Sequence, residues 1–322
     1  MTIKVRDYEV RLTRNKEERK LVRQLRYDVF CVEEGASATE EQKSLGEEYD
    51  SYDRFADYMA VFHNGKVVGT YRIIDRNAAE KMGGFYTESE FNISKLKKSP
   101  MNIAEMSRAC VSAEYRENAL VMRMLWAGLG EYVVRHKIGL LFGVASWTGQ
   151  NPAMSAQAIS YLYYNHLSPF GLRATVDITK LANGVNPKLT RMNILPEVFV
   201  DADAAKREMT PLIKGYLRMN ATFGRGVFVD KPFNSYDVFV MLKTRDIDAA
   251  YKRHFLGSEH AMEDDNFDAG SGFFKSLTNI MLSPAKGAIR AVRSVFEFLL
   301  KEDAADAEFV SEQENSTETE EQ

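Results

Sequence analysis

Cysteine is scarce in this chain, and long apolar runs are absent. Only Cys31 and Cys110 occur among the 322 residues, which excludes a disulfide scaffold and a zinc site built from cysteines. The longest apolar candidate, residues 138–147, has the length of a core strand, well short of the roughly 18 residues that a membrane-spanning helix needs. The five histidines lack metal-ligand spacing, so we expect no metal.

Neither sign of charge dominates, but the charge is unevenly distributed. Lysine and arginine total 42 against 46 acidic residues, a net charge of −4, which argues against a protein that wraps a nucleic-acid backbone. Residues 301–322 carry one lysine and nine acids, whereas residues 271–300 have a net charge of +3. The first residues contain no apolar stretch resembling a signal peptide, so we expect a cytoplasmic protein.

The apolar pattern predicts an α/β (α+β) fold. Strands are expected at residues 8–13, 58–63, 66–75, 101–111, 139–146, 226–229 and 236–242. Helical spacing predicts helices at 16–34, 118–136, 152–166, 211–221 and 246–255. The strand–helix–strand order from 101 to 146 implies a right-handed crossover, hence a central mixed twisted sheet flanked by helices. The polar, acidic stretch 36–53 has no periodicity and is expected to be a loop.

Composition divides the chain into four expected parts: a domain over 1–258, a linker over 259–272, a basic amphipathic helical segment over 273–300 and a disordered acidic tail over 301–322. In the third part, Lys286, Arg290 and Arg293 form a polar stripe opposite apolar residues. A basic amphipathic helix beyond a domain favours binding to the inner-membrane surface. The alternative is a helix docked on the domain itself.

Two charged residues interrupt the predicted strand 101–111. Burying the charged side chains of Glu105 and Arg108 in an apolar strand costs free energy unless the two are paired or belong to a site. A structural ion pair at a strand end is the alternative. In a regular strand the two side chains point to opposite faces, so a shared site requires a bulge or a twist between them.

Four short motifs resemble the signature of acyl-homoserine-lactone synthases, which belong to the GNAT superfamily and take acyl groups from acyl carrier protein. The motifs are Arg26-Tyr-Asp-Val-Phe30, Tyr49-Asp50-Ser-Tyr-Asp53, Gly69-Thr-Tyr-Arg72 and Glu105-Met-Ser-Arg108. Further runs resemble more closely the bacterial ornithine N-acyltransferases, a hemolysin-like family that makes lyso-ornithine lipid. These runs are residues 83–91, 125–129, 141–146, 211–218 and 233–239, and the resemblance covers roughly residues 8–255.

The resemblance implies a role for each of these residues. Glu105 would be the general base, and Arg108 would hold Glu105 or the carboxylate of the acceptor. Substrate contacts fall on Arg26, Phe30, Asp50, Asp53 and Arg72, and contacts to the acyl donor fall on Val111, Tyr115, Arg116 and Ser146. We assign Asp50 and Asp53 to a cationic acceptor side chain such as that of ornithine. The alternative is that they tie the N-terminal loop to the arginines.

The donor is expected to be an acyl carrier protein rather than coenzyme A. Acetyltransferases of this superfamily cradle the pyrophosphate of coenzyme A on a glycine-rich turn at a helix N-terminus, but residues 115–120 contain no glycine. A carrier protein presents one phosphodiester, which Arg116 could meet, and no further cofactor is required.

Alternatives for the activity remain open at this level. The acceptor could be ornithine, glycine or another amino acid, or the adenosylmethionine of the lactone synthases, although the match after residue 120 argues against the last of these. A non-catalytic membrane-binding protein that kept the fold is the alternative from another class.

Overall fold

The computed structural model describes residues 2–117 and 119–246. The predicted linker at 259–272, the amphipathic segment at 273–300, the acidic tail at 301–322 and all but the first residue of the helix at 246–255 lie outside the described residues. Within the described ranges, no helix combines the length and the apolar character needed to cross a bilayer.

A ten-stranded sheet forms the centre of the described chain, in the order β1-β2-β3-β4-β6-β7-β10-β9-β8-β5. The strands are β1 (Ile3–Val5), β2 (Tyr8–Leu12), β3 (Asp57–His63), β4 (Lys66–Asp75), β5 (Phe91–Asn92), β6 (Ile103–Val111), β7 (Leu140–Thr148), β8 (Thr175–Val176), β9 (Thr222–Asp230) and β10 (Ser235–Lys243). The pairs β6–β7 and β8–β9 are parallel, and the other neighbours are antiparallel. The sheet is therefore mixed, as predicted.

Eight α-helices accompany the sheet in the described residues. They are α1 (Lys16–Arg26), α2 (Glu40–Leu45), α3 (Arg76–Met82), α4 (Ser94–Lys97), α5 (Ala119–Arg135), α6 (Ala156–Asn165), α7 (Ala202–Glu208) and α8 (Pro211–Arg218). A π-helical turn follows α1 at Tyr27–Glu33, and 3-10 turns lie at Ser51–Arg54, Tyr86–Ser89, Ala113–Tyr115, Pro152–Ser155, Ile178–Lys180, Pro187–Thr190 and Glu197–Phe199.

Helices pack on both faces of the sheet. Val22 and Leu25 of α1 pack with Tyr58 and Ala60 of β3 on one face. Helix α5 crosses the other face so closely that a Cβ at Gly128 would lie 2.7 Å from the sulfur of Met59. Since α5 connects the parallel strands β6 and β7, the predicted crossover unit is confirmed.

Several local signals are confirmed. The Asn64-Gly65 pair forms the β3–β4 turn with positive φ at both residues, 50° and 77°, as a tight hairpin with the sheet's twist requires. Asn15 caps α1 by accepting the backbone N–H of Glu18 at 2.9 Å, and Thr210 with Pro211 begins α8.

Two predictions about the N-terminal third are wrong in part. The helix expected over 16–34 is α-helical only to Arg26, and the π turn after it adds residues per turn and rotates the buried side. Within this turn Val29 is buried but Val32 is exposed, so the helical spacing of apolar residues does not continue along one buried side. The expected loop 36–53 contains α2, which a capping box between Thr39 and Gln42 begins without any apolar stripe.

Candidate active site

A bulge in β6 determines the geometry of the site. Thr70 pairs with Cys110 and Arg72 with Ser107, so β6 takes three steps where β4 takes two. Arg108 lies in this bulge with φ +53°, a conformation uncommon for a residue with a side chain and often found at functional sites. This is the irregularity that a site shared by Glu105 and Arg108 requires.

Three buried arginines meet three carboxylates on the α1 side of the sheet. Arg26 pairs with Glu48 and with Asp53 at 3.0 Å, Arg72 pairs with Asp50 at 2.5 Å and Asp53 at 3.0 Å, and Arg108 pairs with Glu48 at 3.2 Å and Asp50 at 3.1 Å. Each acid joins two arginines, which makes the six side chains one connected network. The arginines come from α1, β4 and β6, and the acids come from the segment before β3.

Two of the arginines act on the charge of Asp53. Burial by itself would raise the pKa of Asp53, but the guanidinium groups of Arg26 and Arg72 hold that pKa well below its usual range. Asp50 and Asp53 thus lie against arginines, the arrangement expected of residues that tie the N-terminal segment to β4 and β6. Glu48, which the sequence analysis did not single out, completes the network two residues before Asp50.

Glu105 lies next to the network, but its hydrogen-bond partner is a backbone N–H and not an arginine. Its side chain is fully buried, Oε2 accepts the backbone N–H of Thr87 at 3.2 Å, and Oε1 has no hydrogen-bond partner. Burial raises the pKa of Glu105 to about 7, although Arg72, the Thr87 N–H and Arg108 oppose the rise. A carboxylate with a pKa near neutrality is suited to accept and return a proton.

Aromatic rings support the arginines. The guanidinium carbon of Arg108 lies 4.6 Å from the ring centre of Tyr86 and 4.2 Å from that of Phe233, distances typical of cation–π contacts. Phe30 packs edge-to-face on Phe233, with ring centres 6.1 Å apart, so Phe30 reaches the site through that ring. Tyr86 and Phe233 belong to runs that carry the family resemblance, but no role of either ring is predictable from those runs.

The central strands stop pairing beside Glu105. Parallel pairs between β6 and β7 run only from Ile103–Leu140 to Met106–Gly143. A Cβ at Gly143 would lie 2.1 Å from the carbonyl oxygen of Met106, so glycine is needed where the last pair forms. Beyond this pair, β6 and β7 form no further backbone pairs with each other. The edge of β7 that faces β6 therefore has backbone N–H and C=O groups available to an extended ligand.

The four predicted donor-binding residues lie around this end of the sheet. Val111 ends β6, and Ser146 is exposed on β7. Tyr115 follows β6, and its hydroxyl lies 2.8 Å from Nδ1 of His63. Arg116 pairs with Glu33 and donates to the Val111 carbonyl at 3.1 Å. The structure thus places Val111 and Ser146 on the two unpaired strand ends and Tyr115 and Arg116 at the rim.

Fold and site define the class of protein: this is an acyltransferase of the GNAT superfamily. The profile of a family described as "Acetyltransferase (GNAT) domain" matches residues 25–127. The L-ornithine N(alpha)-acyltransferase of Rhodobacter capsulatus is 32% identical over 255 residues, covering 77% of this chain and 94% of that protein. The Brucella abortus enzyme of the same name is 33% identical over 256 residues, covering 77% and 88%. The chain belongs to this family of bacterial L-ornithine N(alpha)-acyltransferases.

Solved structures with weaker similarity come from related activities. FeeM, an N-acyl amino acid synthase from uncultured soil microbes, has a TM-score of 0.42 and 12% identity, covering 73% of this chain and 91% of that one. BjaI, a CoA-dependent acyl-homoserine lactone synthase with SAM and isopentyl-CoA, has a TM-score of 0.41 and 15% identity, covering 80% and 91%.

Proposed function

We propose that this acyltransferase moves a 3-hydroxyacyl group from an acyl carrier protein thioester to the α-amine of L-ornithine and so forms lyso-ornithine lipid. The observation that carries the chemistry is Glu105, a fully buried carboxylate with one unpartnered oxygen at the point where β6 and β7 stop pairing. The acceptor follows from the relatives, which are named for ornithine and match most of the chain.

The reaction needs a base because the acceptor amine is an ammonium ion at neutral pH and must lose a proton before it attacks. Glu105 takes that proton, directly or through a water. The free amine then attacks the thioester carbonyl, the new C–N bond forms, the C–S bond breaks, and the thiol of the carrier arm leaves with a proton. No covalent enzyme intermediate and no cofactor take part. Cys110 is buried, and burial raises the pKa of its thiol, so it is a poor nucleophile.

The donor arm fits the unpaired ends of β6 and β7. A pantetheine arm is thin and carries amides that can pair with the exposed backbone of a strand, and Ser146 on β7 is exposed. The turn after β6 lacks the glycine-rich cradle for a pyrophosphate, which supports a carrier protein over coenzyme A as the donor.

The proposal is tested by product analysis. Purified full-length protein is incubated with a 3-hydroxyacyl carrier-protein thioester and an equimolar mixture of free amino acids, and the products are identified by mass spectrometry. We expect Nα-acylornithine as the main product, and less of it when acyl-coenzyme A replaces the carrier protein. A different acyl-amino acid as the main product would reassign the acceptor, and a mixture without any product would refute the proposal.

The product also motivates the proposed membrane contact of residues 273–300, since a long acyl chain has to reach a bilayer. We expect deletion of 271–322 to move the protein from the membrane fraction to the soluble fraction, measured by flotation with anionic vesicles, while the acylation rate in detergent stays the same. An unchanged partition would remove the case for an anchor in this segment.

A further inference from the structure

A second cluster of carboxylates lies beside Glu105, and the mechanism above does not use it. Glu90, Asp230 and Asp237 each place one oxygen within 4.8 Å of the others, and all three side chains are buried. Glu90 follows the Tyr86–Ser89 turn, Asp230 ends β9, and Asp237 lies in β10. Three chain segments therefore converge on one point in the interior.

When the three carboxylates are all ionised, three oxygens of the cluster have no hydrogen-bond donor among the described residues. Both carboxylate oxygens of Glu90, which is 2% exposed, and Oδ1 of Asp237, which is 3% exposed, are buried without a hydrogen-bond partner. Buried acceptors without a donor are costly, and neighbouring carboxylates repel one another when charged. Burial together with the neighbouring Asp230 raises the pKa of Asp237 to about 7, so without a cation the cluster retains protons.

The geometry suits an ammonium group. An ammonium ion offers three donors and no acceptor. Three oxygens that each accept one charge-assisted bond of about 2.8 Å in tetrahedral directions lie roughly 4.6 Å apart, and the oxygens of Glu90, Asp230 and Asp237 lie within 4.8 Å of one another.

The cluster is also one short turn away from the proposed base. The Thr87 N–H donates to Glu105 at 3.2 Å, and the Thr87 carbonyl accepts the N–H of Glu90 at 3.1 Å. Burial raises the pKa of Glu90, and the charge of Glu105 contributes to the rise, so the two carboxylates lie close enough to interact. The two nitrogens of an extended ornithine are separated by roughly 6 Å, so a single diamino acid is long enough to engage two neighbouring carboxylate sites.

We propose that Glu90, Asp230 and Asp237 bind the side-chain ammonium group of the acceptor amino acid while Glu105 deprotonates its α-amine, an inference that rests on the proposed function. Asp50 and Asp53, the first candidates for this role, already pair with arginines. The cluster thereby becomes the determinant that selects a diamino acid over a neutral one, because a neutral side chain leaves these carboxylates without a partner.

The test compares ornithine with norvaline, which has the same carbon chain but no side-chain amine, in the full-length protein with an acyl carrier protein donor. For the wild type we expect kcat/KM to be about 100-fold or more higher with ornithine. Asp237→Asn and Glu90→Gln should lower kcat/KM for ornithine about 30-fold or more, mainly through KM, and change the norvaline value less than about twofold. Asp203→Asn, which removes an exposed carboxylate that pairs with Lys206, is the matched control and should change neither.

Several outcomes would overturn the inference. The wild type could be equally active on ornithine and norvaline, or the variants could fold normally and lose both activities equally. Either result would overturn the binding role of the cluster without affecting the proposed acylation of ornithine. A wild type that acylates no amino acid would refute the proposed function itself. If Mg²⁺ or Ca²⁺ raised the Tm of the wild type but not of Asp237→Asn, and EDTA abolished activity, the cluster would be a metal site instead.

A second measurement needs no variant. Ornithine binding to the wild type is followed by titration calorimetry in two buffers with different ionisation enthalpies. Norvaline is titrated in the same way, because its α-ammonium group meets Glu105 but its side chain offers no cation to the cluster. We expect ornithine to release more protons than norvaline, because its side-chain cation displaces protons that the clustered carboxylates retain. Equal proton release by the two amino acids at pH 7 would contradict the assignment.

Discussion

The Glu105→Gln variant is expected to lose about 100- to 10,000-fold in kcat, the range of a general base's contribution. Glutamine keeps the size of the side chain and can still accept the Thr87 N–H, so the loss reports the missing base rather than a rearranged site. The measurement is the initial rate of thiol release from the acyl carrier protein with saturating acceptor. Glu114→Gln, an exposed carboxylate just after β6, should retain the wild-type rate. A Glu105→Gln enzyme with the wild-type rate would show that another group accepts the proton.

The pH profile separates this role from a structural one. Because burial raises the pKa of Glu105 to about 7, the base is protonated below that pH, and log kcat of the wild type at saturating ornithine should rise with unit slope to about pH 7 and then level off. Saturation keeps the proposed binding carboxylates occupied, so their titration does not enter this profile. The residual activity of Glu105→Gln should lack this step. A merely positioning residue would lower the rate without removing the step.

The raised pKa of Glu105 also predicts how the free energy of unfolding changes with pH. The folded-state pKa of Glu105 lies above its ordinary value of 4.5, so its favourable contribution is complete below about pH 4.5 and is lost as the pH rises through about 7. The free energy of unfolding of the wild type minus that of Glu105→Gln should therefore fall by up to about 3 kcal/mol between pH 5 and pH 8. Urea denaturation at both pH values measures this difference, and a constant difference would contradict the shift.

Replacing Asp53 by asparagine is expected to lower the free energy of unfolding by about 3–5 kcal/mol. Asp53 pairs with Arg26 and Arg72, both fully buried, so asparagine leaves two buried guanidinium groups short of a counter-charge. Asp50→Asn is the matched comparison. The Asp50 side chain is 24% exposed, so solvent can compensate for part of the change, and the loss should be smaller.

The contribution of Asp53 to stability also depends on pH. The arginines hold the pKa of Asp53 below its ordinary value of 3.8, so the stability it contributes is present above about pH 4 and is lost as the pH falls through its folded-state pKa. The gap between the wild type and Asp53→Asn should therefore narrow in acid. Denaturant melts at pH 7 and pH 3 provide the measurement, and a loss at pH 7 below about 1 kcal/mol would show that the network is dispensable for stability.

Patterns that act over short distances were predictable. The hairpin at Asn64-Gly65 and the cap at Asn15 each depend on a few neighbouring residues whose backbone preferences agree with the fold. The crossover through α5 follows from the order of three strongly periodic segments along the chain. The π turn after Arg26 and the helix within 36–53 were not predicted, since the first is an irregularity of the backbone and the second forms from side-chain caps without apolar periodicity.

Part of the candidate site was likewise predictable from the sequence, and part depends on the tertiary structure. The motifs that carry the family resemblance were enough to identify Glu105, Arg108 and Asp53 as members of one group, but they did not include Glu48, which pairs with Arg26 and Arg108. The bulge that makes a site of them depends on the register between β4 and β6, which no single strand specifies. The cluster of Glu90, Asp230 and Asp237 depends on a convergence of three segments up to 147 residues apart. Each acid looks ordinary in its own stretch of chain, and only the tertiary structure buries the three together and makes them the proposed cation site.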